Sequence, residues 1–282
     1  MRLHDKLADA RARLVTAGMA STDAAVDVDF FARTILGWDR ARVLTEQAGE
    51  TPPELEPRLS EWLSRRARRE PSAYIVGFRE FWGLEFLVTP AVLIPRPETE
   101  FIVEEALPLL RALDAPRVAD IGTGSGCLAV ALAHEVVGAS VLASDLSAEA
   151  LAVARENADR HGVADRITFV ETSYLDGVDG PFDVVVANPP YVKAGDKAGL
   201  ARDVRHEPDV ALFGGDDGLR DVEGVLDTAI RTLGPGGWFL MEFGYGQEQG
   251  VRRLVEARPT LRLDRIRPDL QGIARTAIMQ RS

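Results

Sequence analysis

The sequence predicts an α/β protein: an open, mostly parallel sheet with helices on both faces, preceded by a small all-helical region. Three observations predict it. After Pro116, segments of strand and helix character alternate to the end of the chain, the pattern of strand–helix–strand units around a parallel sheet. The first such strand runs into the glycine cluster "GTGSG", Gly122 to Gly126, which opens the first helix. Before residue 70 or so, apolar residues recur only at helical spacing.

The elements follow in order. Leu3, Leu7, Ala10 and Leu14 mark one amphipathic helix, and Val26, Phe30 and Ile35 a second, with Ser21 or Thr22 expected as its cap. Pro52, Pro53 and Pro57 punctuate, and "ELEPRLSEWLSRRARRE" reads as a further helix. From Tyr74 to Pro97 the composition turns aromatic and β-branched, broken by Gly77 and Gly83, which predicts a β-hairpin. "IPRPETE" then opens a helix near Glu98. "RVADI" is a strand and "CLAVALAHEV" a helix; "SVLASD" is a strand and "SAEALAVARENADRHG" a helix stopped by Gly162. "RITFVE" and "FDVVVAN" are strands. Helix "LRDVEGVLDTAIRTL", strand "GWFLMEF", helix "GQEQGVRRLVEAR" and two short strands complete the series. The expected organisation is a helical domain over 1–72, a hairpin linker over 73–97 and an α/β domain over 98–282.

The first fifteen residues carry scattered charge and no apolar stretch, so no signal peptide is expected. No run approaches the ~18 apolar residues of a membrane span. Cys127 stands alone and the four histidines are scattered, so neither a disulfide nor a metal site is expected. A cytoplasmic monomer without membrane association is the expectation. The formal charge of −11 concentrates in the middle of the chain, which opposes sequence-independent nucleic-acid binding. "RRARR", Arg65 to Arg69, is the one candidate basic patch, read as a solvated helix face.

Gly122, Gly124 and Gly126 fall between a strand and a helix, where glycine permits positive φ and close approach of a ligand. Asp145 ends the next strand, the place from which an acid takes the ribose hydroxyls of an adenosine-type cofactor. Counting from Gly122, the sixth position is Cys127 and not the glycine of a dinucleotide loop, and no lysine is placed for a triphosphate. A nucleoside without phosphates, such as S-adenosylmethionine, suits the loop, and acidic surroundings suit its sulfonium and ammonium. Asp120 ends the first strand near where that ammonium would bind.

The second candidate centre is "NPPY", Asn188 to Tyr191. It ends the fourth strand, at the edge where such sheets bind ligands. Two prolines fix φ and remove two N–H donors. The Asn188 side-chain oxygen and the Pro189 carbonyl can accept both protons of a planar NH₂ group, holding a poor nucleophile and favouring its pyramidal form. Tyr191 can stack on a planar target and stabilise positive charge. No metal is required. Glu242 is read as a substrate-side or structural acid, Cys127 as a small core residue, and His206 and Glu207 as part of a segment that could close over the site.

"GTGSG", "NPPY", "FREFWGLEFLVTPAVLIPRPETE" and "DLQGIAR" together resemble the release factor glutamine methyltransferases over essentially the whole chain. The resemblance implies a class I, Rossmann-like fold with a seven-stranded, mostly parallel sheet and a small helical domain that recognises the protein substrate. It implies S-adenosylmethionine as cofactor and S-adenosylhomocysteine as product. It implies methylation of the side-chain amide of the Gly-Gly-Gln glutamine in peptide chain release factors, in support of translation termination. By the same resemblance, Gly122, Thr123, Gly124, Ser125 and Gly126 would line the methionine part of the cofactor, Asp145 the ribose and Tyr174 the adenine. Asn188 would touch both cofactor and substrate; Pro189, Pro190 and Tyr191 would meet the glutamine. Asn188, Pro189 and Tyr191 are thus the expected catalytic residues. Arg96 and Glu98 would shape the pocket or brace the hairpin. The family's usual Asp before the adenine-side aromatic is Ser173 here. "NPPY" is shared with DNA adenine methyltransferases, so the alternative acceptor is an exocyclic amine of adenine in DNA or RNA.

Overall fold

The computed structural model describes residues 1–282 and divides into two compact units, Met1–Gly77 with Ala201–His206, and Phe78–Leu200 with Glu207–Ser282.

The first unit is helical: α1 (Leu3–Thr16), α2 (Ser21–Leu36), α3 (Arg40–Glu46), α4 (Leu55–Ala67) and α5 (Ser72–Val76). Its core takes Leu3, Leu7 and Leu14 from α1, Val28 and Phe31 from α2, and Leu59, Trp62 and Leu63 from α4. Phe31 and Trp62 meet edge to face at 5.3 Å. Neither Ser21 nor Thr22 caps α2. Ala20 holds the cap position and Ser21 is the first helical residue. The Asp39 carboxylate caps α3 instead, accepting from the Arg42 N–H at 2.7 Å.

Three arginines of "RRARR" are spent inside this unit. Arg65 pairs with Glu70 at 2.5 Å. Arg66 is buried and pairs with Asp27 and Asp203, each at 2.6 Å. Arg69 donates to the Gly18 carbonyl. Burying a guanidinium is tolerable only with such complete pairing.

The second unit opens with the hairpin, β1 (Phe78–Phe81) and β2 (Leu84–Leu87). Its two-residue turn is Trp82-Gly83, with φ of 53° and 69°, the turn type that matches strand twist but normally excludes a bulky residue. Trp82 is held there because its backbone N–H donates to Glu100 (2.8 Å) and its ring N–H to Glu135 (2.9 Å). Phe81 and Phe86 are fully buried in the core below.

Next come α6 (Glu100–Arg111), β3 (Arg117–Ile121), α7 (Cys127–Glu135), β4 (Ser140–Asp145), α8 (Ala148–Arg160), β5 (Ile167–Glu171) and β6 (Phe182–Ala187). A short α9 (Asp209–Leu212), α10 (Arg220–Thr232), β7 (Leu233–Glu242), α11 (Glu248–Glu256), β8 (Leu261–Pro268) and β9 (Ala274–Arg281) complete the unit. Seven strands form one sheet in the order β5-β4-β3-β6-β7-β9-β8. β9 alone runs antiparallel to its neighbours, slotted between β7 and β8.

The apolar run in "FDVVVAN" follows from this burial. Val184 and Val186 pack into the core beneath α6 and α7, and Val185 and Ala187 into the core beneath α10 and α11. A strand covered on both faces needs no polar alternation. The order reverses around β3, whose neighbours are β4 on one side and β6 on the other. That is the switch point at which open α/β sheets hold ligands.

Candidate active site

The site is a cavity at the carboxyl ends of β3, β4, β5 and β6. Its walls include Gly122 to Ser125, Asp145, Thr172 to Tyr174, Asn188 to Pro190, Thr99 and Asp221. Thus the glycine loop and the Asn-Pro-Pro run, more than sixty positions apart in sequence, border one space. No lysine or arginine lines it, and the two carboxylates that do are Asp145 and Asp221.

Gly122, Gly124 and Gly126 have φ of 70°, 55° and 81°, values that L side chains rarely adopt. Around Gly122 and Gly124 the space a side chain would take is open. Gly126 does not border the cavity. It precedes α7, and a Cβ there would lie 3.1 Å from that of Ala154 on α8. Asp145 closes the loop from the next strand, accepting from Gly124 N–H at 2.8 Å and from Ser147 N–H at 3.0 Å.

Asp120 lies beneath the loop and does not line the cavity. One of its oxygens accepts from the Thr123 hydroxyl (2.6 Å) and the Ala129 N–H (3.2 Å). The other is buried with no partner in the chain. Burial pushes this carboxyl up to about 7 despite the two hydrogen bonds. Cys127, partly buried and bordering the cavity, has its thiol pushed up to about 12 by burial.

Asn157, fully buried on α8, was not anticipated. Its amide exchanges hydrogen bonds with the Leu87 N–H (2.7 Å) and carbonyl (3.0 Å), and donates to the Ser125 carbonyl at 2.8 Å. It ties the end of the hairpin to the glycine loop. The available signal was a polar residue on the apolar stripe of α8, with Ala150, Ala154 and Ala158.

Tyr174 has a φ of 52°. Its hydroxyl donates to Asp221 at 2.8 Å. Burial and the neighbouring carboxylate raise its pKa well above the usual tyrosine range.

The Asn-Pro-Pro-Tyr run is braced by a buried acid. Glu242, at the end of β7, is 1% exposed. One of its oxygens accepts from the Thr99 hydroxyl at 2.6 Å, the other from the Tyr191 hydroxyl at 3.2 Å. Thr99 in turn accepts from Asn188 Nδ2 at 3.1 Å. The threonine proton is committed to Glu242, so its lone pair takes the amide N–H, and this fixes which way the Asn188 carboxamide faces. Asn188 Oδ1 and the Pro189 carbonyl accept nothing within the chain. Tyr191 does not border the cavity. It lines a neighbouring groove with Lys193, Gly195, Tyr245 and Arg275. Burial raises the pKa of both Glu242 and Tyr191.

Arg96 braces rather than lines. It donates to Glu207 at 2.6 Å, and Glu207 also accepts from the Ile94 N–H at 3.0 Å. With its side chain only 1% exposed, Glu207 is pinned in place. Glu98 does not border the cavity.

Residues 102–207 match the Methyltransferase small domain and residues 5–77 the PrmC N-terminal domain. A methyltransferase from Pyrococcus furiosus shares the fold at a TM-score of 0.52 and 20% identity, covering 71% of this chain and 90% of that one. With its sheet order, its switch-point cavity and its Asn-Pro-Pro-Tyr run, the chain is a methyltransferase of the class I fold. The release factor glutamine methyltransferase of Bradyrhizobium diazoefficiens is 42% identical over 258 residues, 90% of this chain and 86% of that protein. That of Deinococcus radiodurans is 39% identical over 272 residues, 96% of each. The chain belongs to the release factor glutamine methyltransferase family.

Proposed function

We propose that the chain methylates the side-chain amide nitrogen of the glutamine in the Gly-Gly-Gln motif of peptide chain release factors, with S-adenosylmethionine as the methyl donor. The observation that carries this reading is the acceptor pair, Asn188 Oδ1 and the Pro189 carbonyl. Both are unpaired within the chain and stand on the wall of a cavity with two carboxylates and no cation.

The cavity suits the cofactor. A phosphate-bearing nucleotide would meet Asp145 and Asp221 with no lysine or arginine on the cavity wall, whereas a sulfonium and an ammonium are attracted. The open space at Gly122 and Gly124 admits a ligand close to the backbone. In this reading Gly122, Thr123, Gly124 and Ser125 hold the methionine portion, Asp145 the ribose and Tyr174 the adenine. Each Asp145 oxygen takes one backbone N–H, leaving a lone pair on each for the hydroxyls. When bound, S-adenosylmethionine supplies a methyl carbon activated by its sulfonium.

The chain's own contribution is positioning and polarisation. An amide nitrogen is a weak nucleophile because its lone pair is delocalised. Asn188 Oδ1 and the Pro189 carbonyl accept its two N–H protons, orient the NH₂ group and favour the pyramidal form. The prolines hold that backbone at fixed φ. Pro190 borders the cavity beside them. Tyr191, anchored to Glu242, borders the adjoining groove, which takes the chain flanking the glutamine. The helical unit recognises the body of the protein substrate.

The test is transfer of labelled methyl from S-adenosylmethionine to purified release factor, with adenine-containing DNA as the competing acceptor. Label on release factor is expected. Label on DNA alone would replace this reading with that of an exocyclic-amine methyltransferase.

A further inference from the structure

We propose that Asp221 recognises the exocyclic amine of the adenine ring, so that this cavity selects an adenosyl ligand over an inosyl one. The inference rests on the reading of the cavity as the S-adenosylmethionine site.

Of the two carboxylates on the cavity wall, Asp145 is engaged by backbone N–H groups of the glycine loop and of its own loop. Asp221 arrives from the other side, in the first turn of α10, with its side chain only 14% exposed. One of its oxygens takes the Tyr174 hydroxyl at 2.8 Å, the other takes Arg220 Nη2 at 2.8 Å. A carboxylate offers about four acceptor positions, so each oxygen keeps one for a ligand.

The pair is rigid. Tyr174 holds a backbone conformation that few non-glycine residues adopt. Its ring fills the space above Gly224, one turn along α10 from Asp221, where a Cβ would lie 2.4 Å from Tyr174 Cζ. An aromatic ring and a fixed anionic acceptor therefore stand together on the cavity wall. That is the complement of an aminopurine, which presents a flat face and an N–H donor on its edge. Ser173, the preceding residue and also on the cavity wall, carries a hydroxyl that can donate as well as accept. The Asp221 carboxylate, when ionised, can only accept. A purine carrying oxygen in place of the amine would set a lone pair against that carboxylate.

The test is calorimetric titration of the whole chain with S-adenosylhomocysteine and with S-inosylhomocysteine. The wild-type chain is expected to prefer the adenosyl ligand by about ten- to a hundredfold, the scale of a hydrogen bond to a charged acceptor. In Asp221→Asn, whose amide can turn an N–H toward an oxygen, the preference should collapse to within a few-fold. Thermal unfolding monitors the fold, and Asp221→Ser serves if the asparagine variant is unstable. An unchanged preference in the variant, or equal binding of both ligands by the wild type, would overturn the proposal. Binding of neither ligand would overturn the cofactor reading itself.

Discussion

The Tyr174 ring occupies the space that any side chain at residue 224 would need, its Cζ and hydroxyl oxygen falling 2.4 and 2.5 Å from a Cβ built on Gly224. Gly224 lies inside α10, where alanine is favoured over glycine by about 1 kcal/mol. That gain offsets only part of the about 1–3 kcal/mol that overpacking costs and of the lost Tyr174–Asp221 hydrogen bond, so Gly224→Ala should lower thermal stability modestly, while displacing the ring and weakening S-adenosylhomocysteine binding about tenfold or more. Calorimetry and thermal melts on the same sample separate the two effects. Undiminished affinity would mean that Tyr174 does not form the ligand wall.

The Thr99 hydroxyl couples Glu242 to Asn188. Thr99→Val keeps the shape and removes both hydrogen bonds. The buried Glu242 oxygen and the Asn188 N–H lose a partner, at a cost of about 1–3 kcal/mol each. Asn188 is then free to turn its amide. We expect kcat to fall by about one to two orders of magnitude with little change in S-adenosylhomocysteine affinity, and Thr99→Ser to recover most of the loss. Equal kcat in Thr99→Val and the wild type would show that Asn188 is oriented by something else.

Asp120 makes stability depend on pH. Burial raises its folded value to about 7, against roughly 3.9 in an unfolded chain. As pH rises between those values the unfolded chain releases the proton first, so stability is greatest at the acid end and falls until about pH 7. The full effect is on the order of 4 kcal/mol as an upper limit. Urea midpoints at pH 5 and pH 8 should show this decline in the wild type and a flatter response in Asp120→Asn. The same decline in both would assign it to another group.

Much of the architecture was legible because it is local. The doubly covered strand shows as an unbroken apolar run at Val184 to Ala187, and the glycine loop shows as Gly122, Gly124 and Gly126 between strand and helix. Asn188, Pro189 and Asp145 were legible because the end of a strand fixes the edge on which a residue emerges. What was not legible joins residues distant in the chain. Thr99 and Glu242 are 143 positions apart, and Tyr174 and Asp221 are 47 apart. Neither pairing leaves a periodic trace. Tyr191 and Glu242 are 51 apart, and their pairing arises because a buried carboxylate needs a donor. The missing cap at Ser21 is a smaller case, since one residue of shift in a helix start moves the hydroxyl out of reach.

The central claim is that Asn188 holds a glutamine amide for methylation. Its most direct measurement is peptide mapping by mass spectrometry of release factor treated with S-adenosylmethionine and either the wild-type chain or Asn188→Ala. The account predicts one methyl group on the Gly-Gly-Gln glutamine with the wild type. With Asn188→Ala it predicts a rate lower by orders of magnitude although S-adenosylhomocysteine still binds. A methyl group at another residue, or undiminished modification by Asn188→Ala, would contradict it.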